Sequence, residues 1–165
     1  MTAQSTGLAE RILDWLAKLS MGVASVLMVI LIAIFGWLVF GRYVLNNTPT
    51  WVEQAALLIV VWIAFLGAAV GVRRGTHLSV EFFRDALPPR LRAGMVTFAS
   101  LALLFFGVVM AWQGYVMFDR TVRRDIPLLG ISEGWRAVPV SLSGVLIVLF
   151  CLDDLIRPVL LRQKD

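Results

Sequence analysis

The residues best suited to acid–base or metal chemistry lie in the stretch RRGTHLSVEFF, residues 73–83. It contains the only histidine of the chain, His77, and Glu81 follows one helical turn later. Such a pair could ligate a metal, relay a proton or belong to a helix on the membrane surface. A zinc site needs roughly four ligands, mostly Cys and His. The chain has a single cysteine, Cys151, on a different segment. The sequence therefore predicts no metal site within this chain.

Other catalytic patterns are also missing from the sequence. No histidine lies near a nucleophilic serine, no glycine-rich phosphate loop is present, and one histidine cannot supply both axial ligands of a haem. We predict that the chain is not an enzyme and carries no cofactor of its own.

The composition is that of a membrane protein. Of the 165 residues, 59% are hydrophobic and 16% are charged, and the mean hydropathy is +0.85. Soluble domains average about a quarter charged residues. The net charge of +4 is not arranged as a basic run with interleaved aromatic residues, so it does not indicate nucleic-acid binding.

Four apolar blocks are long enough to cross a bilayer, which takes about 20 residues. They predict an all-α integral membrane protein with one membrane domain over residues 1–165 and spans at about 21–40, 52–72, 93–118 and 137–156. Amphipathic patterns predict interfacial helices at about 8–19 and 78–87. The first of these could instead be a plain extension of span one. Pro88 and Pro89 are expected to end the second.

The distribution of basic residues predicts the orientation. Ten of the 15 lysines and arginines fall in the N-terminal segment, the connection between spans two and three, and the C-terminal segment. The positive-inside rule places these regions, with both termini, in the cytoplasm.

The centres of the four predicted spans contain no Asp, Glu, Lys, Arg or His. Ion-coupled carriers and small exporters place ionisable residues inside their spans, because a charge held there is costly and is kept for function. The chain is therefore predicted to be a scaffold, an anchor or an accessory subunit.

A stripe of small residues in span two predicts a close helix contact. With the flanking Trp51 and Glu53, it forms a candidate partner interface comprising Trp51, Glu53, Ala64, Gly67, Ala68, Gly71 and Gly75. The partner helix could be in this chain or in another. Thr50 and Glu53 also fit a capping box at the helix start.

A second candidate region is the predicted cytoplasmic surface. Here Arg73 and Arg74 suit anionic lipid headgroups, while His77 and Glu81 suit a structural brace that contacts a partner. Asp153 and Arg157, four residues apart, are expected to form an ion pair.

An ordered set of motifs resembles a known family. The motifs are RY at 42–43, WVE at 51–53, VWIAFLGA at 61–68, RRGTHLSVE at 73–81, PLLGI at 127–131 and VPV at 138–140. Together they are similar to the small membrane subunit of tripartite ATP-independent periplasmic (TRAP) transporters. The chain departs from the family pattern at Gln54, where a second acidic residue is common, and at Glu81, where Asp is usual.

The resemblance implies a location and partners. The chain would lie in the bacterial inner membrane beside a large polytopic subunit that carries the ion and substrate sites. A periplasmic binding protein would deliver an organic acid, such as a dicarboxylate or sialic acid, and a sodium gradient would drive uptake. The small subunit would be a fixed scaffold. The alternative is a membrane anchor for a redox enzyme complex.

Overall fold

The computed structural model describes residues 8–74 and 89–162, and this part of the chain is mostly helical. Four long helices are present: α1 (Leu8–Tyr43), α2 (Trp51–Arg73), α3 (Pro89–Thr121) and α4 (Val138–Arg162). A 3-10 helix, Glu133–Arg136, precedes α4. Within the described ranges there is no strand, and one isolated bridge pairs Asp125 with Ser132.

Each long helix contains a segment that is long and apolar enough to cross a membrane. These segments are Glu10–Tyr43, Trp51–Arg73, Phe98–Thr121 and, including the 3-10 helix, Glu133–Asp153. Each overlaps one of the four apolar blocks of the sequence. The predicted fold class, an all-α membrane protein with four spans, is confirmed. The protein is a multi-pass membrane protein.

Helix α1 is much longer than a bilayer requires. Its 36 residues extend for about 54 Å at 1.5 Å per residue, against a hydrocarbon thickness of about 30 Å. The segment 8–19, predicted as an interfacial helix, continues into the first span without a break. The other predicted interfacial helix, at 78–87, lies outside the described residues.

The four helices pack in the order α1, α2, α4, α3. In the described part of the chain, α1 packs on α2, α2 on α4 and α4 on α3, whereas α3 contacts neither α1 nor α2. We call the end with the connections 44–50 and 122–137 the hairpin end, and the opposite end the Arg73 end. Helix α4 lies inside the row, with 44% of its span window buried against 11% for α1. Much apolar surface on the other helices is therefore available to lipid or a partner.

The closest helix contact is between α3 and α4, where small residues face each other. A Cβ atom added at Gly144 would lie 2.5 Å from the backbone nitrogen of Ala111, and one added at Gly114 would lie 2.6 Å from that of Ser141. The Ser141 hydroxyl donates a hydrogen bond to the Ala111 carbonyl at 3.2 Å. Glycine allows this approach, and the backbones could not come so close around larger side chains.

The apolar core lies mainly between α2 and α4. It includes Leu66 and Ala69 of α2 with Leu146, Ile147 and Phe150 of α4. Phe150 is fully buried, and the guanidinium group of Arg73 lies over its ring.

Candidate functional site

Arg73, the last residue of α2, joins three helices. Its Nη2 is 2.9 Å and its Nε 3.2 Å from Oδ1 of Asp14 on α1. Its Nη1 is 2.5 Å from Oδ2 of Asp153 on α4. Below these contacts, the guanidinium carbon lies 5.7 Å from the centre of the Phe150 ring. We call Arg73, Asp14 and Asp153 the inter-helix charge cluster.

The burial of the charge cluster is uneven. The side chains of Arg73 and Asp153 are 11% and 15% exposed, whereas that of Asp14 is 56% exposed. The planar guanidinium can donate to two carboxylates at once, which a lysine ammonium does less well. Its position at the C-terminus of α2 also suits the negative end of the helix dipole. The cluster therefore fixes α1 and α4 to the same end of α2.

The cluster changes the interpretation of two sequence patterns. Asp153 binds Arg73, which is 80 residues away in sequence. The side chain of its predicted partner, Arg157, lies outside the described part. Arg73 itself points between helices, whereas Arg74 is exposed and its backbone N–H caps α2 by donating to Val70.

A second polar contact ties α2 to the 3-10 helix that precedes α4, at the hairpin end. Nη2 of Arg136 donates to Oε1 of Gln54 at 2.7 Å, and its Nη1 lies 3.8 Å from Oε1 of Glu133. Trp62 adds a hydrogen bond of 3.2 Å from its Nε1 to the carbonyl of Trp135. Nε of Arg136 is buried and has no hydrogen-bond partner among the described residues. Gln54, where the sequence departs from the family pattern, thus lies at a structural contact.

Three small residues of the α2 stripe face away from the described helices. Ala64, Gly67 and Ala68 are exposed, and a Cβ atom added at Gly67 would meet nothing within 4 Å. The opposite side of α2 carries the buried residues Val52, Ala56, Leu66, Ala69, Val70 and Val72. Ala64, Gly67 and Ala68 therefore form an exposed patch of small residues on α2.

The other described residues of the candidate partner interface differ in their exposure. Glu53 is exposed, Trp51 is 41% exposed and Gly71 is half-buried. The capping box predicted from Thr50 and Glu53 is not formed, because Thr50 has helical dihedral angles and its side chain makes no capping hydrogen bond. A capping residue normally has an extended backbone, which turns its side chain towards the free N–H groups.

Three predicted site residues, Gly75, His77 and Glu81, lie outside the described residues. Within the ranges 8–74 and 89–162, no three His, Cys, Asp or Glu residues are grouped as metal ligands. The charge cluster and the Gln54–Arg136 contact lie at opposite ends of α2 and join it to neighbouring helices. This arrangement can hold helices in place.

The match to a protein family covers most of the chain. Residues 31–161 match the family described as tripartite ATP-independent periplasmic transporters, DctQ component. The chain belongs to this family. The resemblance found in the ordered motifs is thereby confirmed.

Relatives of this DctQ-family chain include two small permease proteins of Vibrio cholerae. It is 29% identical over 129 residues to the sialic acid TRAP transporter small permease protein SiaQ of Vibrio cholerae, covering 78% of this chain and 75% of the relative. It is 28% identical over 72 residues to the C4-dicarboxylate TRAP transporter small permease protein DctQ of the same species, covering 44% and 31%. The alternative of a redox-enzyme anchor finds no support in these relatives.

A third relative is much longer than this chain. The chain is 32% identical over 114 residues to the sialic acid TRAP transporter permease protein SiaT of Haemophilus influenzae. The matched segment is 66% of this chain but only 18% of SiaT. A segment similar to this chain is thus part of a far larger permease polypeptide.

Proposed function

We propose that this chain is the fixed scaffold for the large permease subunit of a TRAP transporter, and that the exposed face of α2 is where the two subunits meet. The observation that carries the proposal is the position of the stripe Ala64, Gly67 and Ala68. It permits close helix approach, yet it is exposed in the chain. Glu53, exposed at the start of the same helix, offers a polar contact at the membrane edge.

The longer relative supports the choice of partner. In SiaT, a segment similar to this chain belongs to the same polypeptide as the rest of a permease. Covalent continuity in a relative favours a stable contact between the corresponding separate chains. A large permease subunit is therefore the partner that we assign to the α2 face.

The two polar contacts support a static role. The charge cluster ties α2 to α4 at the Arg73 end, and the Gln54–Arg136 contact ties α2 to the 3-10 helix before α4 at the hairpin end. A helix pair held at both ends resists relative movement of its members. We infer that the large subunit moves against this surface and that the chain catalyses no reaction itself.

The transported substrate and the coupling ion belong to the partners in this proposal. Relatives named for sialic acid and C4-dicarboxylates suggest an organic acid, delivered by a periplasmic binding protein. A sodium gradient used by the large subunit would drive uptake. The chain would lie in the inner membrane with both termini and the Arg73 end in the cytoplasm. Arg74, His77 and Glu81 would brace that surface.

Co-purification combined with transport tests the proposal. The chain is tagged at its C-terminus, co-expressed with the large subunit and extracted in mild detergent, and uptake is measured in vesicles with the binding protein. We expect the large permease to co-purify in equal amount and uptake to require both membrane chains. Recovery of redox subunits, or uptake by the large subunit alone, would contradict the proposed scaffold role.

A further inference from the structure

A polar pocket lies on α3 at the hairpin end, away from the α2 face. It has a volume of about 320 Å³ and is lined by Gln113, Val116, Met117, Arg120, Thr121 and Arg124. These positions are three or four residues apart, so they share one side of the helix and its continuation. We call it the α3-end pocket.

The backbone after α3 keeps Arg124 beside Arg120. Helical turns continue past Thr121, because Val122 N–H donates to the Phe118 carbonyl at 2.8 Å and Arg124 N–H to that of Thr121 at 3.0 Å. The Arg124 carbonyl in turn accepts a hydrogen bond of 2.7 Å from the N–H of Glu133. The backbone positions of Arg120 and Arg124 therefore lie on the same side of the helix end, where both residues line the pocket.

Neither arginine of the pocket forms an ion pair with a described residue. Arg120 and Arg124 are exposed, and no carboxylate of residues 8–74 or 89–162 is recorded within 4.0 Å of either guanidinium. Arg73 and Arg136, by contrast, both have carboxylate neighbours. The lining of the α3-end pocket itself contains no acidic residue. The pocket is therefore suited to an anion.

The pocket also spans the boundary between polar and apolar surroundings. Gln113 lies about 10 Å below Arg120 along the helix at 1.5 Å per residue, inside the candidate span that ends at Thr121. Val116 and Met117 form an apolar wall between Gln113 and Arg120. The pocket therefore presents guanidinium groups towards the polar surface and an amide and apolar side chains deeper in the membrane.

We propose that the α3-end pocket binds the phosphate group of an anionic phospholipid. Arg120 and Arg124 donate to the phosphate oxygens, the Gln113 amide donates to a deeper ester or glycerol oxygen, and Val116 and Met117 contact the start of the acyl chains. Guanidinium groups bind phosphate oxygens in a planar fork, and apolar side chains deeper in the membrane suit acyl chains.

Lipid titration followed by native mass spectrometry tests the proposal on the purified full-length chain. The probes are phosphatidylglycerol, zwitterionic phosphatidylcholine and inorganic phosphate. The test variant is Arg120→Gln with Arg124→Gln. The matched control is Arg42→Gln with Arg123→Gln, which removes two exposed charges near the same end but outside the pocket lining.

We expect the native chain to prefer phosphatidylglycerol and the test variant to lose about tenfold or more of that affinity, while the control keeps it. Equal affinity in the test variant, or equal loss in both variants, would overturn the proposal.

Inorganic phosphate that displaces phosphatidylglycerol would point to a soluble anion instead. All variants should unfold at the native temperature, because the substituted side chains are exposed.

Discussion

At the scale of single residues, Arg73 and Arg136 contribute to the fold in different ways. Arg73 donates to two carboxylates, one well buried and one largely exposed. Arg136 has one neutral hydrogen-bond acceptor, Gln54, and a carboxylate at the longer distance of 3.8 Å. The contribution of each contact to the free energy of unfolding depends on the burial and charge of its partners. Substitution of single residues can measure it.

The two carboxylates of the charge cluster should differ in their effect on stability. We expect Asp153→Asn to lower the free energy of unfolding by about 3 kcal/mol, because it leaves a buried guanidinium without its closest anion. Asp14→Asn should cost less than about 1 kcal/mol, since Asp14 is mainly exposed. Unfolding by a denaturing detergent measures both values. Equal losses, or a larger loss at Asp14, would contradict this ranking.

The contact between Gln54 and Arg136 should become stronger if residue 54 carries a negative charge. Gln54→Glu places a carboxylate where the amide oxygen is 2.7 Å from Nη2. Charge-assisted hydrogen bonds are stronger than neutral ones, so we expect a gain of about 1 kcal/mol. Gln54→Leu is the matched control and should lower stability. Thermal unfolding in one detergent compares the variants, and a lower melting temperature for Gln54→Glu would argue against the expected gain.

At the scale of elements, the small residues of α2 and α3 have different surroundings. On α3, Gly107 and Gly114 lie against α4, whereas on α2, Gly67 faces outward. Both helices are apolar around most of their circumference, so their sequences do not mark an inner face. Small-residue spacing therefore predicts that a helix can be approached closely, but the approaching helix is decided by packing of the whole chain.

Alanine substitutions should separate these two contacts. Gly144→Ala is expected to cost about 2 kcal/mol of stability, because the added methyl would lie 2.5 Å from a backbone atom of α3. Gly67→Ala should leave the isolated chain at least as stable, since its methyl meets nothing and alanine favours helix.

In the transporter, Gly67→Ala should reduce co-purification of the large subunit several-fold, because the methyl would separate the two helices. Unfolding of the isolated chain and recovery of the complex are measured on the same preparations. If Gly67→Ala weakened the isolated chain and spared the complex, the α2 face would not be the subunit contact.

At the scale of the whole molecule, the sequence predicted the fold better than it predicted the contacts. Hydropathy is a property of local composition, so the four spans could be counted directly. Extension of α1 through residues 8–19 was less certain, because an amphipathic surface helix and a span extension share one periodicity. The contact from Arg73 to Asp153 joins residues 80 apart, and no local pattern marks such a pair. The local partner Arg157 was the simpler inference.

The orientation of the whole chain can be tested by labelling single cysteines. In a Cys151→Ala background, Arg123→Cys reports the hairpin end and Arg74→Cys the opposite end, and both positions are exposed. The excess of basic residues at the Arg73 end predicts that an impermeant maleimide labels residue 123 in spheroplasts, and residue 74 only after lysis. The reverse pattern would invert the proposed topology.

The central claim is that the exposed face of α2 contacts the large permease subunit, and photo-crosslinking within the membrane tests it most directly. A photoreactive amino acid is placed at Ala64 or Ala68, with Phe105 on the outer edge of α3 as an exposed control. We predict an adduct with the large subunit from both α2 positions and none from position 105. An adduct from position 105 alone, with none from α2, would contradict the account.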